Sequence, residues 1–259
     1  MSSQTIALYE KPYENGFMPT MTYYPCDTEK HGAVVIFPGG GYSHYGSSEQ
    51  TAIAKRFNEL GFHAFVVIYS VIPNHYPAPQ RDGFRAIKMV RANAEKYNVD
   101  PGKIAVCGFS AGGHLVGSLG VLANEFECVC GDEIDKQPQR PDAVIMCYPV
   151  VTFTGEYGHA GCARNLTGNG DMKLWEYLSL QNHISSDTPP TFCWITADDP
   201  VVDYHNPLLF AAEMWKQSLR CELHIFPHGP HGQGLSSSLP DVYQWSGLAA
   251  TFLKTTCGF

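Results

Sequence analysis

The sequence predicts an α/β protein with a mostly parallel central sheet and helices on both faces. Three observations carry this reading. Short runs of apolar, β-branched residues recur along the chain and read as strands buried on both faces. Segments of helical periodicity lie between them, and such alternation sends successive strands in the same direction. No repeat, low-complexity tract or linker-like stretch interrupts the 259 residues. Residues 1–259 are therefore expected to form a single domain.

Taken in order, Thr20–Tyr24 reads as an edge strand, and Ala33–Phe37 (AVVIF) as a buried one. Glu49–Leu60 has helical spacing and stops at Gly61, a natural residue just past a helix end. Phe62–Tyr69 is the next strand, and Arg81–Tyr97 a long helix with Ala86, Ile87 and Val90 inward. Lys103–Cys107 (KIAVC) runs straight into Gly108, and Ala111–Ala123 follows as a helix rich in small residues. Ala143–Tyr148, Thr191–Thr196 and Cys221–Phe226 are strands; Pro207–Ser218 and Val242–Lys254 are helices. Thr152–Asp187 breaks the alternation with several glycines and an aromatic helix at Asp171–Leu180. Insertions at the carboxyl ends of strands line ligand sites in such folds, so this segment is expected to form a small cap or lid.

Composition narrows the function. Hydrophobic residues make up 44% and charged residues 16%, and the formal net charge is −8. An acidic balance argues against nucleic acid or an anionic membrane as partner, because both need a basic face. The first residues lack the basic and apolar regions of a secretory leader, and no apolar stretch reaches membrane-spanning length. A soluble, cytoplasmic protein is the expectation. The nine cysteines are an odd number, and several lie inside apolar strands, as reduced thiols do. Cys128 and Cys130 near Asp132 match no metal-binding spacing, so neither a metal nor a cofactor is expected.

The chemistry centres on Gly108-Phe109-Ser110-Ala111-Gly112, a G-x-S-x-G pentapeptide. Alone it is a weak signal. Its setting is stronger, because a strand ends at the first glycine and a helix begins after the serine, as at a nucleophile elbow. Pro38-Gly39-Gly40-Gly41-Tyr42 follows the strand AVVIF. Three consecutive glycines suit a loop whose N–H groups approach a ligand closely. A phosphate loop would need a Lys-Ser/Thr pair that is absent. A serine nucleophile needs a base, and the base an orienting acid. The loop after Thr191–Thr196 offers Asp198 and Asp199; the loop after Cys221–Phe226 offers His228 and His231.

The set PGGGY, GFSAGGHL, TADDPVV and FPHGPHGQGL, in this order, resembles the acetyl esterase and acetylxylan-esterase-like branch of the α/β-hydrolases. The resemblance runs from about Ala33 to Phe252. It implies the α/β-hydrolase fold and a serine carboxylesterase acting on short acyl esters, such as acetylated sugars or xylo-oligosaccharides. It also implies Ser110 as nucleophile, Asp199 as acid and His231 as base. Oxyanion donors would be Gly40, Gly41 and Ala111. Two positions depart from the family pattern. Pro38 stands where many relatives have a loop-ordering His, and Asp203 where many have Pro. Substrate contacts are expected from Tyr42, His44, His114 and Trp175, with Tyr45 and Tyr76 as further aromatic candidates. Rival readings are an arylformamidase or peptidase on the same triad, and a non-catalytic binding protein on the same scaffold. The partner is a small ester substrate, and a homodimer is compatible with the sequence.

Overall fold

The computed structural model describes residues 3–27, 31–126 and 130–259. Cys128 lies outside the described residues. Among the described residues, eight strands form one sheet: β1 Gln4–Ala7, β2 Thr20–Tyr24, β3 His31–Phe37, β4 His63–Ile68, β5 Val99–Phe109, β6 Ala143–Cys147, β7 Thr191–Thr196 and β8 Cys221–Phe226. Their order across the sheet is β1-β2-β4-β3-β5-β6-β7-β8. The pairs β1/β2 and β2/β4 are antiparallel, and every pairing from β4 to β8 is parallel.

The helices are α1 Thr51–Glu59, α2 Ala78–Ala92, α3 Ala111–Val121, α4 Ala160–Thr167, α5 Met172–Tyr177, α6 His205–Lys216, α7 Pro240–Tyr243 and α8 Trp245–Thr256. α1 packs with α8, while α2 packs with α3. Val34, Val35, Ile36 and Phe37 of β3 are fully buried. Each such side chain contributes about 1.5–3 kcal/mol on leaving water. Apart from His114, α3 is apolar or small all round, as a helix pressed on a sheet and covered from outside must be. Its residues Ala111–Val121 are all buried.

Two expectations need correction. Thr20–Tyr24 is not the edge strand, because β1 pairs along its outer side. Gln4–Ala7 is short and mostly exposed, so its burial pattern carries no hydrophobic signal. The helix expected to reach Tyr97 ends at Ala92. The chain then turns through Asn98, which has φ +56°, and β5 begins four residues before the apolar run KIAVC. No helix of the described residues is long and apolar enough to cross a membrane.

Candidate active site

Parallel pairing places the carboxyl ends of β3, β5, β7 and β8 on one edge. Phe37 lies beside Gly108, Phe109 beside Cys147, and Thr196 beside Phe226. The loops leaving these ends carry the candidate residues.

Ser110 sits between β5 and α3 with φ +53° and ψ −114°. A residue with a Cβ avoids this region unless its surroundings impose it. They do here. The Ser110 N–H donates to the Cys147 carbonyl (3.0 Å), and its carbonyl accepts from His114 N–H (3.0 Å) and Val150 N–H (3.2 Å). The turn thrusts the hydroxyl out of the sheet edge. Ser110 Oγ lies 2.8 Å from His231 Nε2, and His231 Nδ1 lies 2.7 Å from Asp199 Oδ2. The Asp199 carboxylate is 1% exposed and the His231 ring 14%. Asp199 is itself held by the N–H groups of Val201 (2.8 Å) and Val202 (3.0 Å). A carboxylate can only accept, so Nδ1 carries the proton and Nε2 offers its lone pair to the serine.

The neighbouring pair does something else. Asp198 accepts from Gly229 N–H (2.7 Å) and lies 3.2 Å from His228 Nδ1, both on the surface. The Gly229 N–H holds the Asp198 carboxyl below the usual carboxylate range. Asp203 is bonded to the N–H and ring of His205 at the start of α6. The carboxylate hydrogen bond of His231 Nδ1 goes to Asp199, not to either of these.

In the glycine loop, Gly40 has φ +132°, and a Cβ there would stand 2.1 Å from the His44 carbonyl oxygen. The N–H groups of Gly40 and Gly41 find no acceptor among the described residues. Ala111 is the first residue of α3, where an N–H has no intrahelical partner. Pro38 takes part in ordering this loop through its carbonyl, which accepts from the Tyr69 hydroxyl (2.6 Å).

Three expected substrate contacts belong to the interior instead. Tyr42 is 1% exposed, and its hydroxyl donates to His114 Nδ1 (2.9 Å). His114 is fully buried, lies flat on Phe153, and donates from Nε2 to the Leu178 carbonyl (2.8 Å). Burial pushes its pKa down to about 4. Trp175 is buried, with its indole N–H on Thr167 Oγ1 (3.0 Å). His114 of α3 thus joins the glycine loop, through Tyr42, to the inserted segment, through Phe153 and Leu178, while Trp175 packs within that segment. Tyr45 is tied to the Tyr69 carbonyl, and Tyr76 packs edge-on against Phe126. His44 is exposed beside the glycine loop, with Nδ1 2.9 Å from Ser43 Oγ.

Sequence reasoning missed Glu49 and Tyr148. Glu49 is 3% exposed and accepts from Gly39 N–H (2.6 Å) and the Tyr148 hydroxyl (2.7 Å). As a single acid at the start of a helix pattern it resembles any surface glutamate, and no sequence signal marks it as buried. The insertion also reaches the site: Asn165 of α4 donates to the Gly41 carbonyl (2.8 Å). A cleft of about 340 Å³ runs between residues 156–161 and 201–206. Its walls are pinned by the Asn206 amide, which accepts from Val151 and Thr152 N–H and donates to the Tyr157 and Asp203 carbonyls. A larger cavity of about 790 Å³, against Tyr9, Tyr13 and Arg85, touches none of the residues of the Ser110–His231–Asp199 chain.

A sequence profile of the BD-FAE family matches residues 22–214, most of the chain. The chain belongs to the BD-FAE family of α/β-hydrolases. The BD-FAE match takes in Ser110 and Asp199 and ends before His231. The chain is similar to endo-1,4-beta-xylanase B of Butyrivibrio fibrisolvens, with 37% identity over 237 residues, 86% of this chain and 36% of that protein. It is 30% identical over 213 residues to the acetylxylan esterase of Xylanibacter ruminicola, covering 79% of this chain and 42% of that one. It thus spans less than half the length of these two curated relatives. Among solved structures, the acetyl ester-xyloside bifunctional hydrolase of Caldicellulosiruptor lactoaceticus superposes with a TM-score of 0.92 at 38% identity. That match covers 98% of this chain and 96% of the other.

Proposed function

We propose that this BD-FAE member is a serine carboxylesterase that removes short acyl groups, acetyl foremost, from acetylated sugars or xylo-oligosaccharides. The observation that carries the reading is the continuous chain Ser110–His231–Asp199, at 2.8 and 2.7 Å, beside the Gly40 and Gly41 N–H groups, which find no acceptor among the described residues. His231 Nε2 takes the Ser110 proton as Oγ attacks the ester carbonyl carbon. The N–H groups of Gly40, Gly41 and Ala111 receive the oxyanion, and Asp199 stabilises the imidazolium. The tetrahedral intermediate collapses by breaking the bond to the alcohol oxygen, which His231 protonates. Water then attacks the acyl-serine by the same route, releasing the carboxylic acid and restoring Ser110. No cofactor is required by these steps.

The sugar part of the reading draws on the names of the relatives and on the cleft beside the acid loop. Val201 and Val202, which hold Asp199, form one side of that cleft, and Tyr157 and His159 form the other. Tyr157 stacks on His205 at 4.1 Å, and the carboxylates of Glu156 and Asp203 lie beside it. Ring faces with neighbouring carboxylates suit a polyhydroxylated alcohol.

Two measurements test the reading. Ser110→Ala should abolish ester turnover and labelling by a fluorophosphonate while leaving the circular dichroism spectrum unchanged. Full turnover by that variant would overturn the proposal. Acetylated xylo-oligosaccharides should be preferred over butyryl esters and formyl amides of matched leaving group. A preference for the formamide would make the protein an arylformamidase instead.

A further inference from the structure

We infer that Glu49 is a positioning residue of the reaction, a single buried carboxylate that fixes the oxyanion loop and the histidine loop relative to Ser110. The inference rests on the serine-esterase reading above.

Glu49 lies in the 3-10 turn Ser47–Glu49 that precedes α1. Its two oxygens are divided between two loops. Oε2 accepts from Gly39 N–H (2.6 Å), the residue directly before the two candidate oxyanion donors. Oε1 accepts from the Tyr148 hydroxyl (2.7 Å) at the end of β6. That hydroxyl has one proton, which it gives to Glu49, so it is left to accept the Gly234 N–H (2.9 Å). Gly234 is three residues beyond His231, and its carbonyl accepts from the Trp245 indole (3.1 Å). The Tyr148 ring meets the His231 ring edge-on, with centroids 4.9 Å apart. One connected path thus runs from the oxyanion loop through Glu49 and Tyr148 to the base.

The space around Gly39 shows how tightly this path abuts the nucleophile. A Cβ on Gly39 would stand 3.0 Å from both Glu49 Oε2 and Ser110 Cβ. Burial pushes the Glu49 carboxyl up from its ordinary value, while the Tyr148 hydroxyl and Gly39 N–H pull the other way. An uncompensated acid here would be costly, so a group kept only for packing would be better apolar. The two donated hydrogen bonds stabilise and partly screen the carboxylate charge, and they fix the direction of each oxygen. Each oxygen accepts from a different loop, so the carboxylate ties the two donors together without supplying a proton of its own. Glu49 touches no reacting atom, so its effect falls on geometry. A displacement of about 1 Å in an oxyanion donor costs on the order of 100-fold in rate.

The test compares Glu49→Gln, Tyr148→Phe and the double variant with the intact protein on p-nitrophenyl acetate. The amide of Gln can accept from only one of the two donors. Glu49→Gln should lose about 100-fold in kcat, with KM changed less than about threefold, because the ground-state ester makes no use of the path. Tyr148→Phe should also lower kcat, and the double variant should be no slower than Glu49→Gln, since both break one path. An unchanged kcat in Glu49→Gln, a change confined to KM, or losses that multiply in the double variant would each overturn the inference. If Glu49→Gln does not fold, Tyr148→Phe decides alone by whether its kcat falls. An intact protein that turns over the ester, is silenced by Ser110→Ala, and ignores Glu49→Gln refutes this inference only. An inactive intact protein refutes the esterase reading and this inference with it.

Discussion

Asp198 and Asp199 are adjacent acids facing two histidines three positions apart, yet their environments differ. Asp199 is enclosed and bonded to two backbone N–H groups and His231; Asp198 is on the surface with Gly229 and His228. Asp199→Asn should therefore lower kcat by about 10⁴, because an amide can present a donor to Nδ1 and favour the wrong imidazole tautomer. Asp198→Asn should leave kcat within about twofold, as expected for a screened surface pair. Steady-state kinetics on both variants check this, and equal losses would contradict the geometry. At this scale much of the site was legible in the sequence, because loop position after β7 and β8 narrowed the choice to two acids and two histidines. Spacing could not rank them; the resemblance did. The substrate contacts were not legible. Tyr42 and His114 lie within the motifs and Trp175 in the inserted segment, but polarity and ring size do not reveal that each has an internal hydrogen-bond partner.

At the level of elements, small residues let β5 and α3 close around the nucleophile. A Cβ on Gly112 of α3 would stand 2.2 Å from the Phe37 carbonyl and 2.6 Å from that of Pro38. Both are backbone atoms, so neither can step aside. Gly112→Ala should destabilise the fold by about 3 kcal/mol or more. Gly247 of α8 meets nothing within 4 Å, and Gly247→Ala should stabilise by about 0.5–1 kcal/mol through helix propensity. Urea denaturation of the two variants measures both effects, and a well-folded Gly112→Ala protein would refute the close packing. The central strands were readable because burial on both faces forces continuous apolar runs. β1 was not, since an exposed four-residue strand needs only its partner's backbone. Helix ends were displaced by a few residues wherever a left-handed residue such as Asn98, rather than glycine, makes the turn.

For the whole molecule, stability couples to pH through buried titratable groups. His114, with a pKa near 4, refuses in the folded state a proton that the unfolded chain accepts near 6.5. Stability is thus lost as pH falls through that interval, by about 3 kcal/mol at most from this residue. Asp82 acts in the opposite sense. Burial raises its pKa to about 6, so the folded chain keeps a proton that the unfolded chain releases, and stability rises as pH falls from 6 towards 4. His114→Gln can keep both bonds, to Tyr42 and Leu178, without the titration. Its urea midpoint should fall less than that of the parent between pH 7 and pH 4.5; parallel profiles would count against a neutral, enclosed His114. The conformation of Ser110 sets a global limit of a different kind. Glycine would adopt φ +53° and ψ −114° with less strain than any side chain, so selection for thermal robustness alone would drift toward Gly at 110. Robustness and reactivity therefore pull on one residue in opposite directions, and an inactive descendant of this fold could outlast its active parent at high temperature.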